Sequence, residues 1–271
     1  MIVDGVKTNN IPASDRGLLY GDGLFETLAV REGRPCLWNA HMDRLAKGCE
    51  RLGFPFPDPA HLFEEALLAI GDRRRGVLKI IVTRGTGGRG YRPPEAPHTR
   101  RIIELHPWPD SPPEWRQEGV RLRLCSTRLG INPDLAGIKH LNRLEQVMAR
   151  AEWDDPAVAE GLMRDTAGHV VEGTSTNLFL VEDDGLVTPD LSSCGVAGVM
   201  RAVVTEVAGE LGIALRQRPV TLKDTQNARA LFLTNALIGI WPVRTFEQIA
   251  FDIDAIPASL RNRVQNRAYA P

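Results

Sequence analysis

The stretch Gly137 to Ala151, GIKHLNRLEQVMARA, constrains this chain more than any other. Leu141, Leu144, Val147, Met148 and Ala151 recur at helical spacing, which predicts a helix with a buried apolar face beginning just after Lys139. The lysine is then placed at the mouth of a packed element, behind Gly137 and Ile138, where an amine can be fixed and partly dried. Desolvation lowers a lysine's pKa because only the charged form loses hydration, and the neutral amine attacks carbonyl carbon. On position alone, Lys139 can equally be a cation that caps a helix or covers apolar surface.

Strand and helix signals fill the rest of the chain. Residues 1–8 read as a short strand and turn, and residues 24–30 as a strand led by a loop holding Gly17, Gly21 and Gly23. That loop has neither GxGxxG nor GxxxxGK[ST], so it reads as a loop near a pocket or interface and not as a nucleotide cradle. Residues 39–52 predict a helix capped by Asn39, with Met42, Leu45, Ala46, Cys49 and Leu52 as its stripe and Arg44 beside it. A second helix is expected over 61–70, then strands over 77–83 and 101–105. Between those strands runs RGTGGRGY, residues 84–91. It is either a loop whose backbone and charges approach an anionic ligand or a disordered basic hairpin tip. Pro107, Pro109, Pro112 and Pro113 limit regular structure and make 111–116 the candidate domain linker.

Beyond the linker, Val120, Leu122 and Leu124 alternate with Arg121, Arg123 and Cys125 along a strand. Residues 170–181 form another, broken by polar residues where a plain core strand would stay apolar, and Asp183-Asp184-Gly185 is a hairpin turn. Gly198-Val199-Met200-Arg201 opens a helix whose first-turn N–H groups suit a phosphate. Residues 230–234 read as a buried strand with Asn235-Ala236 as its polar exit, and 257–265 as a terminal helix.

With 33 Lys plus Arg against 34 Asp plus Glu, the formal charge is −1, so no global field favours nucleic acid or an anionic membrane, and an anionic ligand must be met locally. No apolar run approaches the roughly 18 to 20 residues that cross a bilayer. No basic segment followed by an apolar core opens the chain, so secretion is not expected. Cys36, Cys49, Cys125 and Cys194 form no CxxC pair, which favours a reducing cytoplasm. The six histidines show neither HExxH nor zinc-like spacing, so no metal site is expected.

Singly these features are weak, but their order is specific: HMDRL at 41–45, RGTGGRGY at 84–91, GIKHLNRLEQVMAR at 137–150, VVEGTSTNLF at 170–179, GVMR at 198–201 and LFLTNAL at 231–237. In that order the chain resembles the fold-type IV pyridoxal phosphate enzymes, the group of branched-chain and D-amino acid aminotransferases, and within it looks most like the aminodeoxychorismate lyases. The resemblance implies an α/β (α+β) protein with a small α/β domain over 1–110 and a larger cofactor domain over 117–271 built around a β barrel. It also implies a homodimer.

By the same resemblance Lys139 carries pyridoxal 5'-phosphate and moves protons, and Glu172 faces the cofactor's ring nitrogen. Arg44 and the backbone N–H groups of Val199 and Met200 hold its phosphate, with Asn235 and Ala236 at the phosphate-side strand exit and Asn177 just inside the cofactor strand. Aminotransferases of the group can carry threonine where Ala236 stands, so a hydroxyl contact is missing here. The small-molecule substrate implied is 4-amino-4-deoxychorismate, split to 4-aminobenzoate and pyruvate by β-elimination. Tyr91, Arg101, Arg84 and Arg89 are candidates for its carboxylates. An aminotransferase acting on a D-amino or branched-chain acid is the rival on the same scaffold.

Overall fold

Leu24, Glu26, Leu28 and Val30 alternate with Phe25, Thr27 and Ala29, and in the computed structural model, which describes residues 1–269, this stretch is a nine-residue strand. The described chain divides into two compact units, 1–109 with 138–142, and 110–137 with the chain from Arg143 onward.

The first unit holds strands β1 (Ile2–Val3), β2 (Val6–Lys7), β3 (Gly23–Arg31), β4 (Arg34–Pro35), β5 (Arg75–Thr83) and β6 (Arg100–His106). They form an antiparallel sheet in the order β2-β1-β6-β5-β3-β4. Its helices are α1 (Arg16–Tyr20), α2 (Trp38–Leu52) and α3 (Pro59–Ile70). Leu28, Leu45, Leu62, Leu78, Ile80 and Ile103 form a core drawn from strands and helices, each at most 1% exposed. Burying each such side chain contributes roughly 1.5–3 kcal/mol. Helix α2 starts a residue earlier than predicted: Leu37, in the left-handed region at φ 53°, is its N-cap and makes no side-chain capping bond. Asn39 therefore lies inside the first turn, where its side chain is past the capping position.

Residues 138–142 do not lead into a buried helix. They run extended along β3, where Leu24 bridges His140, Phe25 N–H donates to Lys139 O at 2.9 Å, and Leu141 N–H donates to Gly23 O at 3.0 Å. A Cβ on Gly23 would meet Val82 O at 2.6 Å and Leu141 Cδ1 at 2.9 Å, so only glycine permits this approach. The lysine segment thus packs with the first unit, whereas the sequence boundaries put it inside 117–271.

The second unit holds β7 (Val120–Leu129), β8 (Val158–Asp165), β9 (Val170–Gly173), β10 (Asn177–Glu182), β11 (Gly185–Pro189), β12 (Leu215–Arg218), β13 (Ala230–Asn235), β14 (Gly239–Phe246) and β15 (Ile249–Ala250). Strands β10-β13-β14-β7-β8-β9 follow one another, and β9 returns to β10 through the pair Asn177 and Glu172. The result is a closed six-stranded β barrel, so the architecture is mixed α/β with a larger unit built around a barrel, as expected. Leu122, Leu162, Val170, Leu178, Leu180, Leu231, Leu233 and Trp241 belong to its main apolar cluster.

Helices α4 (Leu144–Arg150), α5 (Val199–Glu210), α6 (Leu222–Asn227) and α7 (Ala258–Tyr269) complete this unit. The predicted buried stripe of α4 is turned outward: Leu144 is 76% exposed, and Val147 and Met148 are each 61% exposed. Ala149 is the side of α4 that packs, against a cluster containing Cys125, Leu129 and Trp153. The proline-marked 111–116 is not a free tether. Trp115 lies edge-on to Trp241 with ring centroids 5.0 Å apart, so that stretch folds with the second unit.

Candidate active site

In the first unit, Lys139 and Lys79 both address one aromatic ring. Lys139 Nζ lies 4.4 Å and Lys79 Nζ 5.6 Å from the centroid of Phe25. A ring face attracts cations without taking up their N–H groups. Lys79 went unread in the sequence, although a lone charge inside the apolar run VLKIIV was a usable signal.

Behind Lys139, Glu26 is 1% exposed on β3. Its Oε1 accepts from Arg44 Nε at 2.8 Å, and its Oε2 accepts from Arg44 Nη2 at 2.5 Å and from His41 Nδ1 at 2.6 Å. Burial alone would raise the Glu26 pKa, but the charge and hydrogen bonds of Arg44, with those of His41, outweigh it and hold the carboxyl at about 2. Burial pulls His41 below its ordinary range; the Glu26 carboxylate opposes this, while Arg44 and Lys139 add to it. The ring is therefore neutral at pH 7. An ionised carboxylate only accepts, so Nδ1 carries the hydrogen, and His41 Nε2 is buried with no hydrogen-bond partner among the described residues. Sequence reading found Arg44 but missed Glu26. The glutamate at a core-facing position of LFETLAV was the signal.

The predicted substrate-side residues separate into two pairs. Arg84 is buried: Nε donates to Asp22 Oδ2 at 2.8 Å, and its Nη groups donate to Gly53 O at 2.8 Å and Leu52 O at 2.6 Å. Arg101 forks onto Glu65 of α3, with Nε 3.0 Å from Oε2 and Nη2 2.8 Å from Oε1. Both arginines are internal ties, because strand register and the adjoining helix set where their guanidinium groups go. Arg89 and Tyr91 are exposed, Tyr91 by 83%. Their loop is nonetheless fastened: Arg16 donates to Gly90 O at 3.1 Å and Tyr91 O at 2.9 Å, and Tyr91 packs edge-on to Tyr20. This is no disordered tip.

In the second unit, Glu172 is 4% exposed, and its Oε2 accepts from Val196 N–H at 2.8 Å. Asn177 Nδ2 donates to Val196 O at 2.9 Å and reaches Glu172 Oε2 at 3.5 Å, so its amide fixes the 196 loop and the carboxylate together. The turn that follows Glu172 is organised by Glu160, which sequence reading also missed. Its carboxylate accepts from Gly161 N–H, from the N–H and Oγ1 of Thr174, from the N–H and Oγ of Ser175, and from Thr176 Oγ1.

Val199 and Met200 are the first two residues of α5, and their side chains are buried. Gly198 is the N-cap and no side chain caps this end. A Cβ at Gly198 would lie 2.0 Å from Asn177 Oδ1, so the amide of Asn177 packs against the helix start and glycine is needed there. Thr234 Oγ1 is buried without a partner among the described residues. Next to it, Asn235 is occupied with its own turn: Oδ1 accepts from Leu237 and Ile238 N–H, and Nδ2 donates to Ser175 O. Ala236 O accepts from Tyr269 OH at 2.9 Å.

A water-shielded carboxylate, an uncapped glycine-led helix start and an orphaned hydroxyl fit a cofactor that has a basic ring nitrogen and a phosphate. The profile of the amino-transferase class IV family matches residues 23–246. The chain belongs to that family. Among class IV proteins, the crystal structure of 4-amino-4-deoxychorismate lyase from Pseudomonas aeruginosa is 49% identical, with a TM-score of 0.93 and 97% of each chain covered. Aminodeoxychorismate lyase from Vibrio harveyi is 37% identical over 263 residues, 97% of each chain. A hypothetical aminotransferase from Mycobacterium tuberculosis, solved in a PLP-bound form, shares the fold at 23% identity, with a TM-score of 0.81 and coverage of 97% of this chain and 95% of that one.

Proposed function

We propose that this class IV chain is an aminodeoxychorismate lyase that uses pyridoxal phosphate to convert 4-amino-4-deoxychorismate into 4-aminobenzoate and pyruvate. The observation that carries this reading is the near-full-length likeness, at 49% identity, to the Pseudomonas aeruginosa lyase. Lys139 holds the cofactor covalently through Nζ, Glu172 meets its ring nitrogen, and Arg44 with the N–H groups of Val199 and Met200 takes its phosphate. Asn177 steadies Glu172, and Asn235 and Ala236 border the phosphate side. When bound, the cofactor supplies an electron-accepting ring that stabilises negative charge on the carbon bearing the substrate nitrogen.

With cofactor and substrate bound, Lys139 Nζ would take the proton from C4. As an ammonium it then delivers a proton to the ether oxygen leaving C3, so one amine serves as base and acid on adjacent carbons. The C4–H and C3–O bonds break, the C3=C4 bond forms, and the ring becomes aromatic. The expelled enolpyruvate becomes pyruvate. Glu172 keeps its negative charge against the ring nitrogen throughout. Lys79, Arg89 and Tyr91 meet the substrate's carboxylates, since Arg84 and Arg101 are committed to internal partners.

The enzyme works as a homodimer in the cytoplasm. Exposed Leu144, Val147 and Met148 on α4 suit a second copy, and free Cys36, Cys49, Cys125 and Cys194 suit a reducing compartment. Incubating pure protein with aminodeoxychorismate should release equal amounts of 4-aminobenzoate and pyruvate, and Lys139→Ala should release neither. Amino-group exchange between amino and keto acids without 4-aminobenzoate would instead establish an aminotransferase.

A further inference from the structure

Arginine has five N–H donors in a planar fork, and which edge of the fork is gripped decides which edge is presented. Glu26 grips the Nε–Nη2 edge of Arg44, at 2.8 Å and 2.5 Å. The Nη1 edge then points away from Glu26. The carboxylate is itself held, because His41, one turn earlier on α2, donates to the same Oε2 at 2.6 Å. Glu26 and His41 are buried, while the Arg44 side chain keeps 13% of its surface exposed, so the charged fork sits at the boundary of the cluster. A buried ion pair is seldom more stabilising than an apolar pair of the same volume, so fold stability alone does not account for a carboxylate here.

We propose that Glu26 is a positioning residue: by fixing the Nε–Nη2 edge of Arg44 it turns the Nη1 edge toward the cofactor phosphate, and His41 locks Glu26 in that pose. The inference rests on the phosphate role of Arg44 proposed above. It gives a selective signature. Pyridoxal has the same aldehyde and ring nitrogen as pyridoxal phosphate but no phosphate, so loss of positioning weakens only the phosphorylated ligand, whereas a general packing defect weakens both.

The experiment titrates cofactor-free full-length protein with pyridoxal phosphate and with pyridoxal, following absorbance, for wild type, Arg44→Met, Glu26→Gln and the double variant. Glu26→Gln should weaken pyridoxal phosphate by about tenfold or more, the scale of a lost charge-assisted hydrogen bond, and leave pyridoxal within about twofold. The double variant should be no weaker than Arg44→Met, because Glu26 acts through that arginine. If Arg44→Met leaves pyridoxal phosphate affinity unchanged, the phosphate role of Arg44 is wrong. If Arg44→Met weakens it and Glu26→Gln does not, or if Glu26→Gln weakens both ligands alike, positioning by Glu26 is wrong while the role of Arg44 stands. Should Glu26→Gln not fold, Glu26→Asp, which keeps the charge but shortens the reach, is judged by the same ratio of affinities.

Discussion

Replacing Glu160 tests whether the turn after Glu172 is held by one buried carboxylate. Six donors converge on it, three of them backbone N–H groups from Gly161, Thr174 and Ser175. In Glu160→Gln one oxygen becomes an NH₂ group that cannot accept. The Oε1 site faces two backbone N–H groups, and the Oε2 site faces one backbone N–H and the hydroxyls of Ser175 and Thr176. Hydroxyls rotate to accept from an amide, whereas backbone N–H groups cannot, so the amide nitrogen should settle at the Oε2 site and orphan Ser175 N–H. One part-buried backbone donor left without its partner, with weaker bonds to a neutral acceptor, costs about 2–4 kcal/mol. For a unit of this size each kcal/mol lowers Tm by roughly 2–4 °C, which predicts a drop of about 5–15 °C. Glu160→Ala orphans all three backbone groups and should fall at least as far. Thermal unfolding of cofactor-free protein, followed by circular dichroism at pH 7, measures both. A drop under about 2 °C in the two variants would refute the convergence as a stabilising centre.

Glu172→Gln should fold normally and lose at least about a hundredfold in 4-aminobenzoate release, as expected when charge stabilisation at a reacting centre is removed; an unchanged rate would discard its role at the ring nitrogen. Acid should destabilise the first unit in two windows. The unfolded chain takes up a proton at His41 more readily than the folded one, so stability drops as pH falls below 6.5. Glu26, held at about 2 against an ordinary 4.5, contributes stability that is present above 4.5 and is lost as pH falls from there toward 2. Urea midpoints from pH 7 to 3 measure this, and His41→Phe should flatten the upper limb while Glu26→Gln flattens the lower. Arg84→Met should lower Tm, since it leaves two carbonyls without that donor and removes one of the two arginines on Asp22, yet keep KM within about twofold, whereas Lys79→Met should raise KM about tenfold with Tm little changed. Steady-state kinetics with melting curves separate the two, and the opposite pattern would return Arg84 to the substrate.

Elements whose signal is local were legible in the sequence. β3 and β5 announced themselves by apolar and β-branched residues, α5 by Gly198 and the stripe behind it, and the order of the motifs carried the class IV membership. Features set by distant partners were not. Residues 138–142 are extended because β3 offers Gly23 and Phe25 as hydrogen-bond partners, and no helical periodicity in that segment could reveal this. Arg101 looked available for a carboxylate, but its register opposite Val82 puts it on the face of Ile103 and Leu105, where Glu65 of α3 waits. Glu26, Lys79 and Glu160 were visible as single charges inside apolar strands. Their partners, which give the charges meaning, come from elsewhere in the chain.

Closure of the barrel bears on how this protein survives concentration. A ring of strands has no terminal strand on which another chain could template, so the longest hydrogen-bonded array offers no seed for fibril growth. Where sheets do end, the last strands are poor templates: Val6–Lys7 and Arg34–Pro35 have two residues each, and Leu215–Arg218 carries two arginines paired with Glu182, Asp184 and Asp224. A substitution that pried β9 from β10 would open the ring and expose such a template, making solubility, rather than catalysis, the first property to fail.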